Sequence, residues 1–301
     1  MTGTVLILGA NGKIGKRAAE AFAAAGWTVR RWQRGTDMTA AAMGADVIVN
    51  GLNPPGYHDW ARLIPQITAQ VIAAARASGA TVIVPGNIYN FGNRPGELSE
   101  VTPQAAHTRK GRIRVQMEAA YRAADVQTII LRAGNFIDPG SKDDVMALLY
   151  LRGIAKGQIT FCGAPDVMQT YAYVPDWARA AVMLAERRDT LAPFEDVPFP
   201  GHAFTGVALQ ASLEAAMGRK LKGVKFPWLF MRLAAPFWEL ARELQEMRYL
   251  WDMPHTISAA KFARLLPDFV PTERRAVMLA GLALQVDPDQ TVRPGGKAIL
   301  A

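Results

Sequence analysis

The sequence predicts an α/β fold: a doubly wound parallel sheet flanked by helices, followed by a smaller, mostly helical C-terminal portion. Short apolar, β-branched runs recur between Thr4 and Leu131, and segments with an apolar residue every three or four positions separate them. A glycine-rich turn stands directly after the first run.

The first strand is Thr4 to Leu8 (TVLIL), apolar throughout and therefore buried on both faces. From Lys13 to Ala25, Ile14, Ala18 and Phe22 recur on one helical face, and Gly26 ends the helix. Thr28 to Trp32 and Asp46 to Asn50 (DVIVN) read as further strands. A helix over Ala61 to Ser78 aligns Ile64, Ile67, Val71 and Ala75, and the strand Thr81 to Val84 follows. Next come a helix over Thr108 to Ala124 and the strand Gln127 to Leu131. Parallel strands joined by helices imply right-handed crossovers. Beyond Leu131 the alternation loosens, with punctuation at Pro139, Gly140, Gly163, Pro165, Pro175, Pro198, Pro200 and Gly201. The expected division is a sheet domain over 1–165, with a strand and helix returning near 170–186, and a helical substrate-binding or lid portion over 187–301.

Half of the 301 residues are apolar and a fifth are charged, which excludes a disordered chain. A single cysteine, Cys162, excludes an internal disulfide framework and a thiolate metal cluster; it reads as a small buried residue. The start, MTGTVLILGANG, lacks a basic leader and a cleavage site, so a cytoplasmic location is expected. Phe226 to Ala241 is shorter than a membrane span and contains Arg232, Pro236 and Glu239; it reads as buried helix or interface. The aromatic residues from Trp228 to Trp251 are expected in core packing, with an apolar substrate pocket or partner surface as the alternatives. The net charge of +8 reads as a basic solvated surface, without the aromatic-interleaved cluster of a nucleic-acid groove. A small-molecule substrate is the expected partner, with no nucleic acid and no membrane; a homodimer is left open.

Gly9-Ala10-Asn11-Gly12-Lys13-Ile14-Gly15 lies between the first strand and first helix. In such a turn the first glycine permits the bend, the second lets backbone approach a pyrophosphate, and the third lets helix and sheet pack closely. The helix N-terminus adds free N–H groups and partial positive charge. The expected dinucleotide-binding set is therefore Gly9, Asn11, Gly12, Lys13, Ile14 and Gly15, with Arg31, Arg34 and Asp37 after the second strand and Asn50, Gly51 and Asn135 at later strand ends. An acid at the end of the second strand selects NAD(H), whereas arginine suits the extra phosphate of NADP(H). Here no acid precedes Asp37, and Arg31 and Arg34 stand at that end, which favours NADP(H) over NAD(H).

GANGKIG, Gly44 to Val49 (GADVIV), Leu131 to Phe136 (LRAGNF) and Tyr171 to Ala178 (YAYVPDWA) together resemble the extended and atypical short-chain dehydrogenase/reductase superfamily. That group includes nucleotide-sugar epimerases and dehydratases, and the resemblance covers nearly the whole chain. It implies a Rossmann domain and hydride chemistry at a nicotinamide. Family catalysis rests on a Tyr-x-x-x-Lys pair on a helix, followed four residues later by Glu, and on an upstream Ser or Thr. Aligning Glu118 with that Glu places Lys110 at the tyrosine position and Arg114 at the lysine position. Asn87, in Val84 to Gly92, falls near the hydroxyl residue. The departures together resemble an atypical subgroup lacking the Tyr-x-x-x-Lys pair.

Lys110 and Arg114, at i and i+4, share a helix face and are expected to point toward the nicotinamide. Lys110 then offers a general acid or an electrostatic clamp, and Arg114 a grip on the nicotinamide ribose or an anionic substrate. Asn87 can orient a carbonyl, and Tyr89 is the nearest phenolic acid. The plainer alternatives are a solvated basic helix face and a packed tyrosine. His58, His107, His202 and His255 lack metal-ligand spacing, and His107 is the one histidine near the altered motif. The expected function is an NADP(H)-binding oxidoreductase or epimerase-like enzyme acting on a small carbonyl, alcohol or sugar-derived substrate. The alternative is a non-catalytic NADP(H)-binding sensor or regulatory protein.

Overall fold

Both faces of the inner strands are covered, which is why the sequence shows continuous apolar runs there instead of alternation. The computed structural model describes residues 2–282, so the end of the 187–301 portion lies outside the described residues. Its main sheet contains β1 Thr4–Leu8, β2 Thr28–Arg31, β3 Val47–Asn50, β4 Thr81–Gly86, β5 Thr128–Arg132 and β6 Phe194–Pro198. The spatial order is β6-β5-β4-β3-β1-β2, and every pairing is parallel. Five helices flank it: α1 Lys13–Ala24, α2 Met38–Ala42, α3 Trp60–Ser78, α4 Arg109–Ala123 and α5 Val174–Glu186.

Alternate side chains of each strand enter opposite layers. Val5, Ile7, Val47, Val49, Ile83, Ile129 and Leu131 pack with Phe22 of α1 and Trp177 of α5. Leu6, Leu8, Ile48, Val82, Val84 and Ile130 pack with Ile64 and Val71 of α3 and with Ile113 and Met117 of α4. This is the predicted doubly wound parallel sheet, with element ends within two residues of those expected. The outermost strand, β6, comes from chain beyond residue 187 and pairs with β5.

The C-terminal part adds α6 Gly206–Met217, α7 Trp228–Ala234, α8 Glu239–Glu246, α9 Ala260–Leu265 and α10 Arg274–Leu279. Segments 135–137, 169–173 and 202–204 form a small three-stranded sheet; 158–161 pairs with 222–225, and 96–98 with 255–257. One sequence expectation is corrected here. Phe226 to Ala241 is not a buried helix but two helices meeting near Pro236, with Phe226, Met231 and Ala241 inward. Leu229, Phe230, Leu233, Phe237 and Trp238 are exposed, because a helix this short buries only one narrow stripe.

A buried guanidinium ties the carboxyl ends of the strands together. Arg132, 1% exposed, donates to both Glu118 oxygens of α4 (2.7 and 3.1 Å), to Asp196 of β6 (2.6 and 3.1 Å) and to the Asn87 carbonyl (2.6 Å). Two carboxylates around one bidentate cation satisfy charges that would otherwise be costly to bury. The result fixes α4 against the loop after β4.

Candidate active site

The chain leaves β1 for β2 on one side and returns to β3 on the other, so a crevice opens at the carboxyl ends of β1 and β3. Gly9 to Gly15 fills the turn there. Gly9 has φ +73°, and a Cβ on Gly15 would lie 2.2 Å from the Gly9 carbonyl oxygen. Gly51, past β3, is packed as closely: its Cβ would lie 3.1 Å from the Gly15 nitrogen. Gly12 differs, since a Cβ there meets only the Gly9 oxygen, at 3.3 Å. Gly12 caps α1 without a side-chain hydrogen bond, leaving first-turn N–H groups available to a ligand. These features fit a dinucleotide pyrophosphate.

The remaining predicted rim residues sit as follows. Asn11 is exposed at the tip of the turn, while Ile14 packs partly on the core. Lys13 Nζ donates to the Asp143 carbonyl at 2.8 Å, so the segment after residue 138 lies across the start of α1. Asn50 donates to the Tyr121 hydroxyl at 3.2 Å and accepts from Leu52 N–H. Asn135 faces Gln169 at 3.4 Å. Arg31 and Arg34 are exposed. The Asp37 carboxylate accepts from Thr39 and Ala40 N–H, an N-cap for α2.

Residues 50–60 connect this crevice to a second group of polar side chains. Within it Tyr57 and Asp59 have φ of +64° and +45°, which turns the chain so that Tyr57 meets Tyr89. The two hydroxyls are 3.2 Å apart. Asn87 accepts from Tyr89 N–H through its side chain at 3.0 Å, holding the short helical turn that follows β4. Arg114 donates to Asn53 at 3.0 Å, and its guanidinium lies 4.6 Å from the centroid of the Trp60 ring. Its Nε is buried with no partner, and among the described residues no carboxylate lies within ion-pair distance of it. Burial lowers the pKa of Arg114. The adjoining Tyr89, then burial, raises that of Tyr57; burial raises that of Tyr89.

Arg114, Tyr89 and Asn87 are thus gathered in one place. Lys110 takes a different direction. It is fully buried, 2.5 Å from Glu243 and 2.6 Å from Glu246 of α8, and also donates to the Glu243 carbonyl. Arg109 reaches Glu243 at 2.6 Å. The pair at 110 and 114 is therefore not a solvated face: one cation locks α8 onto α4, and the other faces the tyrosines. His107 is exposed, with its ring edge-on to Tyr249. Cys162 is buried and its thiol is pushed up to about 12 by burial.

Sequence reading missed Asn53, Tyr57 and Trp60, although Asn53-Pro54-Pro55-Gly56 is a turn signal that would have placed them after β3. It also missed Glu243 and Glu246, whose i, i+3 spacing presents both acids to one cation.

Residues 66–197 match the model of the NAD dependent epimerase/dehydratase family. No curated protein matches the chain by sequence. Among solved structures, MoeE5 in complex with UDP-glucose and NAD is similar at a TM-score of 0.74 and 15% identity, covering 93% of this chain and 98% of that one. UDP-glucuronic acid 4-epimerase from Bacillus cereus, with UDP-glucuronic acid and NAD, gives 0.73 and 14%, covering 93% and 98%. RMD from Pseudomonas aeruginosa, complexed with NADPH, gives 0.70 and 16%, covering 94% and 98%. The chain has the fold of the NAD(P)-dependent epimerases and dehydratases.

The preference for NADP(H) is corrected by these structures. The same fold carries NAD in MoeE5 and in the B. cereus epimerase, so NAD is at least as well supported. Arg31 and Arg34 are both exposed, and their position after β2 does not by itself select the extra phosphate. Two solvated arginines after a strand are ordinary surface residues.

Proposed function

We propose that this chain holds a nicotinamide dinucleotide at Gly9 to Gly15 and uses it in an oxidoreductase or epimerase-like reaction on a small carbonyl, alcohol or sugar-derived substrate. The observation that supports this best is the course of residues 50–60. They start beside the glycine turn at Gly51 and end at Trp60, beneath Arg114.

Gly9, Gly12, Gly15 and the first-turn N–H groups of α1 would hold the pyrophosphate, with Asn11, Lys13, Ile14, Asn50, Gly51 and Asn135 around it. When bound, the dinucleotide supplies or accepts the hydride. The chain's own residues do the rest. The hydroxyls of Tyr57 and Tyr89, 3.2 Å apart and kept neutral by their raised pKa values, suit a hydrogen bond to a substrate oxygen. Arg114, a cation without a matching carboxylate, attracts a negative or electron-rich oxygen of substrate or ribose. Asn87 shapes the turn that presents Tyr89. Lys110 and Arg114 replace the family's Tyr and Lys, and Lys110 acts as a positioning residue that holds α8 over the site.

Sugar nucleotides are the first substrates to test, because MoeE5 and the B. cereus epimerase are described with UDP-sugars. Purified protein is titrated with NADH and NADPH and then assayed with UDP-sugars and a carbonyl panel. Turnover that falls in Tyr89→Phe and Arg114→Gln is the expected result. Binding without turnover assigns the chain to the sensor class, and failure to bind any nicotinamide dinucleotide overturns both.

A further inference from the structure

α7 is built the wrong way round for a helix surrounded by water. Met231 and Ala234 turn inward against Phe226, Ala241 and Leu244, whereas Leu229, Phe230 and Leu233 turn outward at 62, 60 and 67% exposure. Past Pro236 the patch continues with Phe237, 95% exposed, and Trp238, 45% exposed. Single exposed apolar residues are common, but five large ones within ten positions form a contiguous patch that marks an interaction surface.

The charge around the patch selects the partner. From Arg219 to Trp238 the chain contains Arg219, Lys220, Lys222, Lys225 and Arg232, and no acidic residue. Arg152 and Arg248 add to it, each with its guanidinium 5.5 Å from an aromatic ring at the base of α7, Phe226 and Trp228 respectively. The acids of α8 are engaged elsewhere: Glu243 and Glu246 with Lys110, and Glu239 with His58. A twofold contact between copies would bring two such basic rims together, and like charges oppose that contact. Outward Leu, Phe and Trp ringed by Lys and Arg is the composition of a surface that sits in the headgroup region of an anionic membrane.

We propose that the exposed apolar face of α7 and the Phe237-Trp238 tip, rimmed by Arg152, Arg232, Arg248 and Lys225, docks this protein peripherally on an anionic lipid surface. Among the described residues no helix is long and apolar enough to cross a membrane, so the contact is interfacial. It brings α8, which is tied to His58 and Lys110 beside the candidate active site, close to the bilayer.

The test is co-sedimentation of the full chain with vesicles of phosphatidylcholine alone or with added phosphatidylglycerol, at low and high salt. Binding is expected to the anionic vesicles and to weaken with salt. Phe230→Ser with Leu233→Ser is expected to weaken it roughly tenfold or more. Arg232→Gln is expected to weaken it roughly fivefold, the effect of one basic side chain near an anionic surface. Both variants keep the wild-type melting temperature, since these side chains face water. The proposal is overturned if anionic vesicles do not bind, if the double variant binds like wild type, or if light scattering shows a dimer that the double substitution dissolves without any vesicle binding.

Discussion

Nζ of Lys110 lies 2.5 Å from Oε2 of Glu243, and both side chains are buried. This lysine joins α4 to α8. Lys110→Met leaves Glu243 inside with only the half-exposed Arg109 and Arg242 as partners. We expect a loss of about 3 kcal/mol, the low end for breaking a buried ion pair, seen as a lower urea midpoint with unchanged slope. Unchanged stability with abolished turnover would instead place Lys110 in the chemistry.

Arg114 and Arg132 are both largely enclosed guanidinium groups, yet they differ in what surrounds them. Arg132 has two carboxylates, so Arg132→Met strands Glu118 and Asp196 and should cost about 3 to 5 kcal/mol. Arg114 has none, so Arg114→Met should leave stability unchanged or raised while kcat/KM falls about 100-fold, as for loss of one oxyanion donor. Denaturation midpoints and steady-state kinetics on the two variants make the comparison.

All seven tyrosines have raised pKa values: Tyr57 first through its contact with Tyr89, the other six through burial. A phenol with a folded pKa above its unfolded value of about 10 favours the folded state below that value. The stabilisation is lost as pH rises past 10, because the unfolded chain then releases protons that the native state retains. Absorbance at 295 nm of the native protein should stay flat through pH 10 and rise with unfolding. A phenolate signal below pH 10 in the native protein contradicts this, and one that disappears in Tyr89→Phe would identify an activated phenol.

How much of this is legible in the sequence depends on how local the signal is. Strands β1, β3, β4 and β5 and helices α1, α3 and α4 announce themselves, since burial on both faces produces unbroken apolar runs and one-sided burial gives helical spacing; the edge strand β2, TVRR and only partly buried, is legible mainly from its place after Gly26. The glycine turn is legible because Gly9 and Gly15 meet sterically within seven positions. The short strands at 96–98 and 255–257 are not, since each is half polar and pairs with a partner far along the chain. Lys110 looked free because its acids lie more than 130 positions away. The turn at Asn53 to Gly56 is legible, but the contact of Tyr57 with Tyr89 also involves positive φ at Tyr57 and Asp59, which are not glycine and carry no such signal.

Gly12 provides the most direct test of the cofactor site. A side chain there touches only the Gly9 carbonyl, whereas one at Gly15 collides with it. Gly12→Val should therefore keep the fold but block approach of a pyrophosphate to the turn. Titration of intrinsic fluorescence with NADH is the measurement. Wild type should bind one dinucleotide per chain, and Gly12→Val should lose that binding at an unchanged melting temperature. Equal binding by the two proteins, or no binding of NADH or NADPH by wild type, would contradict a dinucleotide held at Gly9 to Gly15.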